Sequence, residues 1–226
     1  METIPNEIIK EFLKYLNLGD KYALLFVSKR FALFVGKQEC ERIMEKIIKY
    51  GTVNQLLWAE KMDYKYDKNE ICETAALGGN LEILRYAHIN EYPWDELTCT
   101  YAAKKGHLEC LVYAHENECA WDWYTCSNAA ENGKLECLKY AHENGCPWDE
   151  ITCTSAAGQG HLNCLKYAYE NGCSWSRNTC FDAALWGQLH TLQYCYDNGC
   201  PWDGYEKFLN ENGIGIKLKI IKNKNV

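Results

Sequence analysis

Long apolar runs, a basic excess and closely spaced cysteine pairs are all missing from this chain of 226 residues. The longest apolar stretches, such as Tyr22–Val27, fall far short of the roughly 20 residues a membrane-spanning helix needs. No membrane partner is therefore expected. The opening Met1-Glu2-Thr3-Ile4-Pro5 has no positive segment leading into an apolar one, so secretion is not indicated and an intracellular, cytoplasmic protein is expected. Lys and Arg number 24 against 31 Asp and Glu, a net charge of −7. That argues against a nucleic-acid partner, which would call for a basic footprint. No C-x-x-C, H-E-x-x-H, G-x-x-x-x-G-K or Ser/His/Asp set occurs, so no catalytic, cofactor or metal site is expected and the chain does not read as an enzyme.

What is present is a period. Cys72, Cys99, Cys126, Cys153 and Cys180 stand 27 residues apart, and so do Gly79, Gly106, Gly133, Gly160 and Gly187. Trp94, Trp121, Trp148, Trp175 and Trp202 keep the same step, as do the tyrosines from Tyr86 to Tyr194. A fixed repeat of this length is the signature of stacked supersecondary units, each unable to bury its apolar face alone.

The unit beginning at Trp94 reads as helix–turn–helix. Asp95 is placed to accept the orphan amide hydrogens of a first turn, and Thr98 stands where a side chain can return a bond as in a capping box. Trp94 and Cys99 have the spacing of a hydrophobic staple. Cys99, Ala102 and Ala103 predict a narrow inward face of small side chains, and Gly106 an end to the helix in the left-handed conformation. The second helix runs from about Leu108 to Asn117; in later units Gly145, Gly172 or Gly199 closes it, with Pro147 or Pro201 beyond. His88, His115 and His142 fall late in second helices, where a cation complements the helix dipole.

Twelve of the 14 cysteines occupy three repeat columns, leaving Cys40 and Cys195 outside. Equivalent cysteines of adjacent units would sit about one helix spacing apart, 8–10 Å, too far for a disulfide. Within a unit Cys99 and Cys110 could approach, but free Cys is also a common small core residue.

Packing constrains inward positions only, so the variable outward residues of the first helices form the candidate surface for a target protein. They include Thr100, Tyr101, Lys104 and Lys105; then Trp123, Tyr124, Ser127, Asn128 and Glu131; then Gly158; and finally Phe181, Asp182 and Trp186. Aromatics at such positions are enriched in binding hot spots, although Phe181, Leu185 and Trp186 could equally pack beneath a C-terminal cap. Net charge is +2 over residues 1–66, −13 over 67–206 and +4 over 207–226. The acidic middle suits a solvated face, or one that selects basic partners.

The run Thr98-Cys99-x-x-Ala102-Ala103-x-x-Gly106-His107-x-x-Cys110-Leu111-x-Tyr113-Ala114 resembles the ankyrin repeat. Cys99 stands at its buried Leu and Cys110 at its first Val. The resemblance spans residues 46–212 and implies an all-α, right-stacked helix–turn–helix solenoid, a monomer, that binds proteins without catalysis. The units are shorter than the roughly 33 residues of ankyrin repeats. The missing residues fall where the β-hairpin finger projects, so fingers should be shortened or absent. Gly51, Val53, Leu56, Trp58, Ala59 and Tyr66 suggest a degenerate first unit. Beyond Trp202 the period decays into a capping helix over 203–212 and a Lys-rich tail over 213–226.

Residues 1–45 lack the period. Ile4-Pro5-x-Glu7-Ile8, then Phe12-Leu13-x-x-Leu16, then Asp20, Leu24, Val27-Ser28-Lys29 and Phe31 resemble an F-box, with Lys21 the main departure. That resemblance implies that Ile4, Pro5, Ile8, Phe12, Leu13, Leu16, Leu24 and Val27 hold the Skp-type adaptor of a cullin–RING ubiquitin ligase. The rival reading makes these helices a cap on the solenoid. The combination resembles an arrangement common in large DNA viruses that infect amoebae, which implies a viral source and the host cytoplasm as location.

Overall fold

Three consecutive units begin with the cap their sequence provides. The Asp95, Asp122 and Asp149 carboxylates accept the backbone N–H of Leu97, Tyr124 and Ile151 at 2.9–3.0 Å, filling orphan donors of the first turn. These contacts come from a computed structural model that describes residues 37–61 and 66–201. The F-box-like residues Ile4 to Val27, the closing Trp202, the proposed cap and the Lys-rich tail all lie outside the described residues.

The described residues form an all-α stack of helix pairs. A degenerate pair comes first: α1 (Lys37–Tyr50) and α2 (Val53–Lys61). Next are α3 (Ile71–Gly78) and α4 (Leu81–Ile89), α5 (Glu96–Lys105) and α6 (Leu108–Glu116), and α7 (Trp123–Glu131) and α8 (Leu135–Glu143). The last two pairs are α9 (Glu150–Gly158) with α10 (Leu162–Glu170), and α11 (Arg177–Leu185) with α12 (Leu189–Asp197). Among the described residues there is no strand, as expected from the shortened connectors. Helix α1 runs straight through residues 45 and 46, and it packs against α3 through Ile43, Met44, Ile47 and Ile48, all buried.

Successive first helices pack more closely than successive second helices. The reason lies in their side chains. Cys99, Ala102 and Ala103 are fully buried, and so are their counterparts in α3, α7 and α9. At these positions the side chain between neighbouring backbones is no longer than a methyl or a thiol group. At Gly78 even a methyl is too much: a Cβ there would lie 2.6 Å from the Lys49 Cα of α1. Burial is also wider than the narrow face expected, because a first helix is flanked on both sides. Thr98, Thr100, Thr125, Ser127 and Thr152 are buried too. Thr100 meets Thr125 at 3.3 Å and Thr154 meets Thr179 at 2.9 Å, hydroxyl to hydroxyl across the seam between units.

The capping box expected at Thr98 is absent, since its hydroxyl has no hydrogen-bond partner, nor does that of Thr152. The box forms in α11, where Ser176 and Thr179 bond reciprocally. The N-cap residue of α5 is Asp95, whose carboxylate already takes the first-turn donor.

First helices end as expected: Gly106 is left-handed at φ +83°, with its N–H and that of His107 returned to Ala102 and Ala103 carbonyls. The second turn is less uniform. Gly145, Gly172 and Gly199 have φ between +75° and +87°, but Glu118 (+65°) and Glu91 (+58°) occupy the same column earlier in the chain. A side chain in this conformation costs roughly 1–2 kcal/mol, partly offset by the lower unfolded-state entropy of a non-glycine residue. Glu118→Gly should therefore raise unfolding stability by a net 0.5–1 kcal/mol or about that, and Gly145→Ala should lower it by about 1 kcal/mol. No atom lies within 4 Å of a Cβ at Gly145, so chemical denaturation of that variant reads backbone strain without a clash.

Candidate interaction surface

The tryptophans that close the units from Trp94 to Trp175 join a ladder of rings. Trp94 stacks on His88, Trp121 on His115 and Trp148 on His142, with ring centroids 4.1, 3.8 and 3.6 Å apart. Each pair then receives, edge-on, the tyrosine of the next unit: Tyr113, Tyr140 and Tyr167. His88 Nδ1 and His115 Nδ1 hydrogen-bond the hydroxyls of Tyr113 and Tyr140 at 2.9 and 3.0 Å. One unit further on Tyr169 replaces histidine and stacks on Trp175 at 3.7 Å, again with Tyr194 at its edge. Edge-on and stacked rings at these distances contribute beyond the area they bury. This ladder locks neighbour to neighbour and gives the histidines structural partners, in addition to their place near the helix C-termini. Sequence columns showed the His, Trp and Tyr periods but not that the three meet.

The cysteines are framework as well. Cys119, Cys146 and Cys173 thiols donate to the N-cap carbonyls of Asp95, Asp122 and Asp149 at 3.0–3.1 Å, tying each connector back to the start of its own unit. Burial pushes the Cys110, Cys137 and Cys164 thiols up to about 11, so they stay protonated and unreactive.

With the framework subtracted, a face remains. Leu97 (39% exposed), Tyr124 (51%) and Ile151 (42%) occupy one position in three consecutive first helices. The Asp caps fix all three, because each donates its own N–H to the capping carboxylate. These positions lie in the first turn, and the stack covers their side chains only in part. The sequence reading picked out Tyr124 but missed Leu97 and Ile151. The signal was there in the 27-residue column Glu70, Leu97, Tyr124, Ile151, Asn178, which turns apolar in the middle of the array.

The other candidates distribute around this column. Trp123 is half-buried and stacks on Tyr124 at 3.7 Å, and Asn128 donates to the Tyr124 carbonyl at 3.0 Å. Tyr101 lies four residues beyond Leu97, on the same helix face, and is half-buried, as is Lys104; Lys105 and Glu131 are exposed. At the far end Trp186 is 64% exposed and Leu185 49%, whereas Phe181 and Asp182 are half-buried. Three other positions expected to face outward, Thr100, Ser127 and Gly158, are buried between neighbouring first helices.

Two carboxyls along these helices feel the packing. Burial raises Glu73, with Asp95 and Glu70 adding to the effect, and burial alone raises Asp182. No helix among the described residues is long and apolar enough to cross a membrane.

The class this architecture defines is a solenoid of ankyrin-like repeats. The crystal structure of the human ASB11 ankyrin repeat domain matches over 57% of this chain and 69% of that chain, with a TM-score of 0.50 and 16% sequence identity. The likeness is one of fold. No family model matches the chain, and no curated protein matches it.

The Asp182 carboxyl gives a pH test. Its pKa is higher folded than unfolded, so the folded state holds the proton more tightly. Stability from this group is full below the unfolded carboxylate value and falls as pH rises through the folded one. Asp182→Asn should thus be more stable than the parent at neutral pH, with the difference vanishing as pH drops below the ordinary carboxylate range. Paired thermal melts across that range measure it.

Proposed function

We propose that this chain is a protein–protein interaction adaptor of the cytoplasm. A target lies along the first-helix face centred on Leu97, Tyr124 and Ile151. Tyr101, Lys104, Lys105, Trp123, Asn128 and Glu131 surround that centre, and Phe181, Asp182 and Trp186 extend it at the C-terminal end. The single observation behind this reading is the exposed apolar column at capped positions that the stack does not require. Exposed aromatic and apolar groups on a rigid scaffold are what a partner can bury at low entropic cost.

The finer proposal makes the chain a substrate receptor. Residues around Ile4 to Val27 dock a Skp-type adaptor, and the repeats present the target to a ubiquitin ligase. Support for that half is the F-box-like order of residues. The mechanism is proximity: two linked binding sites raise effective concentration without chemistry of their own.

A second reading has one observation in its favour. Helix α1 packs its buried face on α3, so at least this part of the N-terminal region belongs to the stack, consistent with N-terminal helices that serve as a cap.

Pull-down with a purified Skp-type protein separates the two. The receptor reading expects binding by the full chain that is lost in Leu16→Asp while circular dichroism stays unchanged; no binding by the wild type leaves the plain scaffold. For the target face, a partner recovered by the full chain should bind Tyr124→Ala about 30-fold more weakly, the equivalent of a hot-spot loss near 2 kcal/mol. Unchanged affinity in Tyr124→Ala, Leu97→Ala and Ile151→Ala together rejects this face.

A further inference from the structure

Cys195 breaks the repeat pattern in a way that packing does not explain. The column it occupies is alanine in every earlier unit, at Ala87, Ala114, Ala141 and Ala168, all fully buried. Its environment is distinctive. The thiol sulfurs of Cys180 in α11, Cys195 in α12 and Cys200 just beyond it all lie within 4.8 Å of one another, with each residue at most 3% exposed. The three preceding units have only two of the three: Cys99 with Cys119 beside Ala114, Cys126 with Cys146 beside Ala141, and Cys153 with Cys173 beside Ala168. A single departure from the column thus completes a three-sulfur cluster at one end of the described array.

We propose that Cys180, Cys195 and Cys200 form a binding site for one soft d10 cation held by three thiolates. The donor set is sulfur only, which selects zinc or copper(I) over harder ions. Sulfurs bound to one ion at about 2.3 Å stand about 3.8–4.0 Å apart in tetrahedral or trigonal geometry. The observed cluster is thus within a small side-chain adjustment of coordination. Binding replaces three S–H bonds by three metal–sulfur bonds and releases three protons to solvent. No electron transfer is involved. Copper(I) is satisfied by the three sulfurs; zinc takes a fourth donor at its open position. Spacing along the chain hid the site, because no two of the three residues form a C-x-x-C pair and the relevant contacts lie inside one unit, not between adjacent ones.

The test uses the reduced full-length protein under anaerobic conditions, with cadmium(II) as optical probe. One equivalent should produce the thiolate-to-metal charge-transfer band, and zinc(II) or copper(I), added separately, should displace it; whichever displaces it at the lower concentration identifies the preferred ion. Cys195→Ala restores the residue every earlier unit carries, so it should fold and melt like the parent. Its affinity should fall more than about 100-fold, beyond the 10–100-fold typical of losing a group that merely orients a ligand. Conversely, Ala168→Cys should build a second such site beside Cys153 and Cys173 and raise the stoichiometry from one to two. Equal binding by the wild type and Cys195→Ala overturns the proposal, since the two-thiol pairs would then hold the ion. So does a probe band that neither zinc nor copper(I) displaces, the absence of a band at one equivalent, or a disulfide within the cluster of the reduced protein.

Discussion

The close approach of successive first helices governs this molecule. Cysteine and alanine at the contact positions let neighbouring backbones come near enough that a hydroxyl of one helix reaches a hydroxyl of the next, as Thr100 does to Thr125. In van der Waals terms the layer is dense because its side chains are short. From α5 onward the larger core residues lie mainly in the second helices, where Leu111, Leu138 and Leu165 are fully buried, and the aromatic rings bridge units. Swapping the two sets would leave either voids or clashes.

That division of labour frees the surface. Once methyl groups, thiols and the histidine–tryptophan–tyrosine ladder carry the packing, the remaining first-helix positions can vary without structural penalty, and Leu97, Tyr124 and Ile151 show such variation. The capping aspartates are part of the same economy: they satisfy the first turn and at the same time hold the variable residue two positions on. Acidic side chains spread along the array keep so aromatic a surface solvated.

Much of this was legible in the sequence because a period exposes whatever packing holds constant. The 27-residue step, the Asp95-type caps and the left-handed Gly106 could all be read from single columns, since each depends on local backbone chemistry. What escaped depends on relations between columns. His115, Trp121 and Tyr140 belong to three separate columns and meet only in the folded stack, and Trp94 found its ring partner in His88. Thr98 looked like half of a capping box because its spacing fits, yet its hydroxyl is left without a partner, and among the described residues it is Ser176 and Thr179 that close the box. Thr100 and Ser127 looked outward because helical spacing says nothing about a neighbour on the flank. Leu97 and Ile151 were visible as apolar letters, but their exposure becomes significant only when the rest of the helix is known to be satisfied without them.

The recurring Trp-Asp junctions at Trp94-Asp95, Trp121-Asp122 and Trp148-Asp149 make this part of the array a string of interchangeable cassettes. Excision of residues 122–148 would splice Trp121 to Asp149, reproducing a junction the chain already uses. Tyr167 would inherit the ring partners of Tyr140, and the solitary Thr152 hydroxyl would arrive opposite Thr100. The shortened protein would keep its seams and lose Trp123, Tyr124, Asn128 and Glu131 from its recognition face. Such a chain can gain or shed specificity by whole-unit duplication and loss, a route closed to folds whose cores are not segmented.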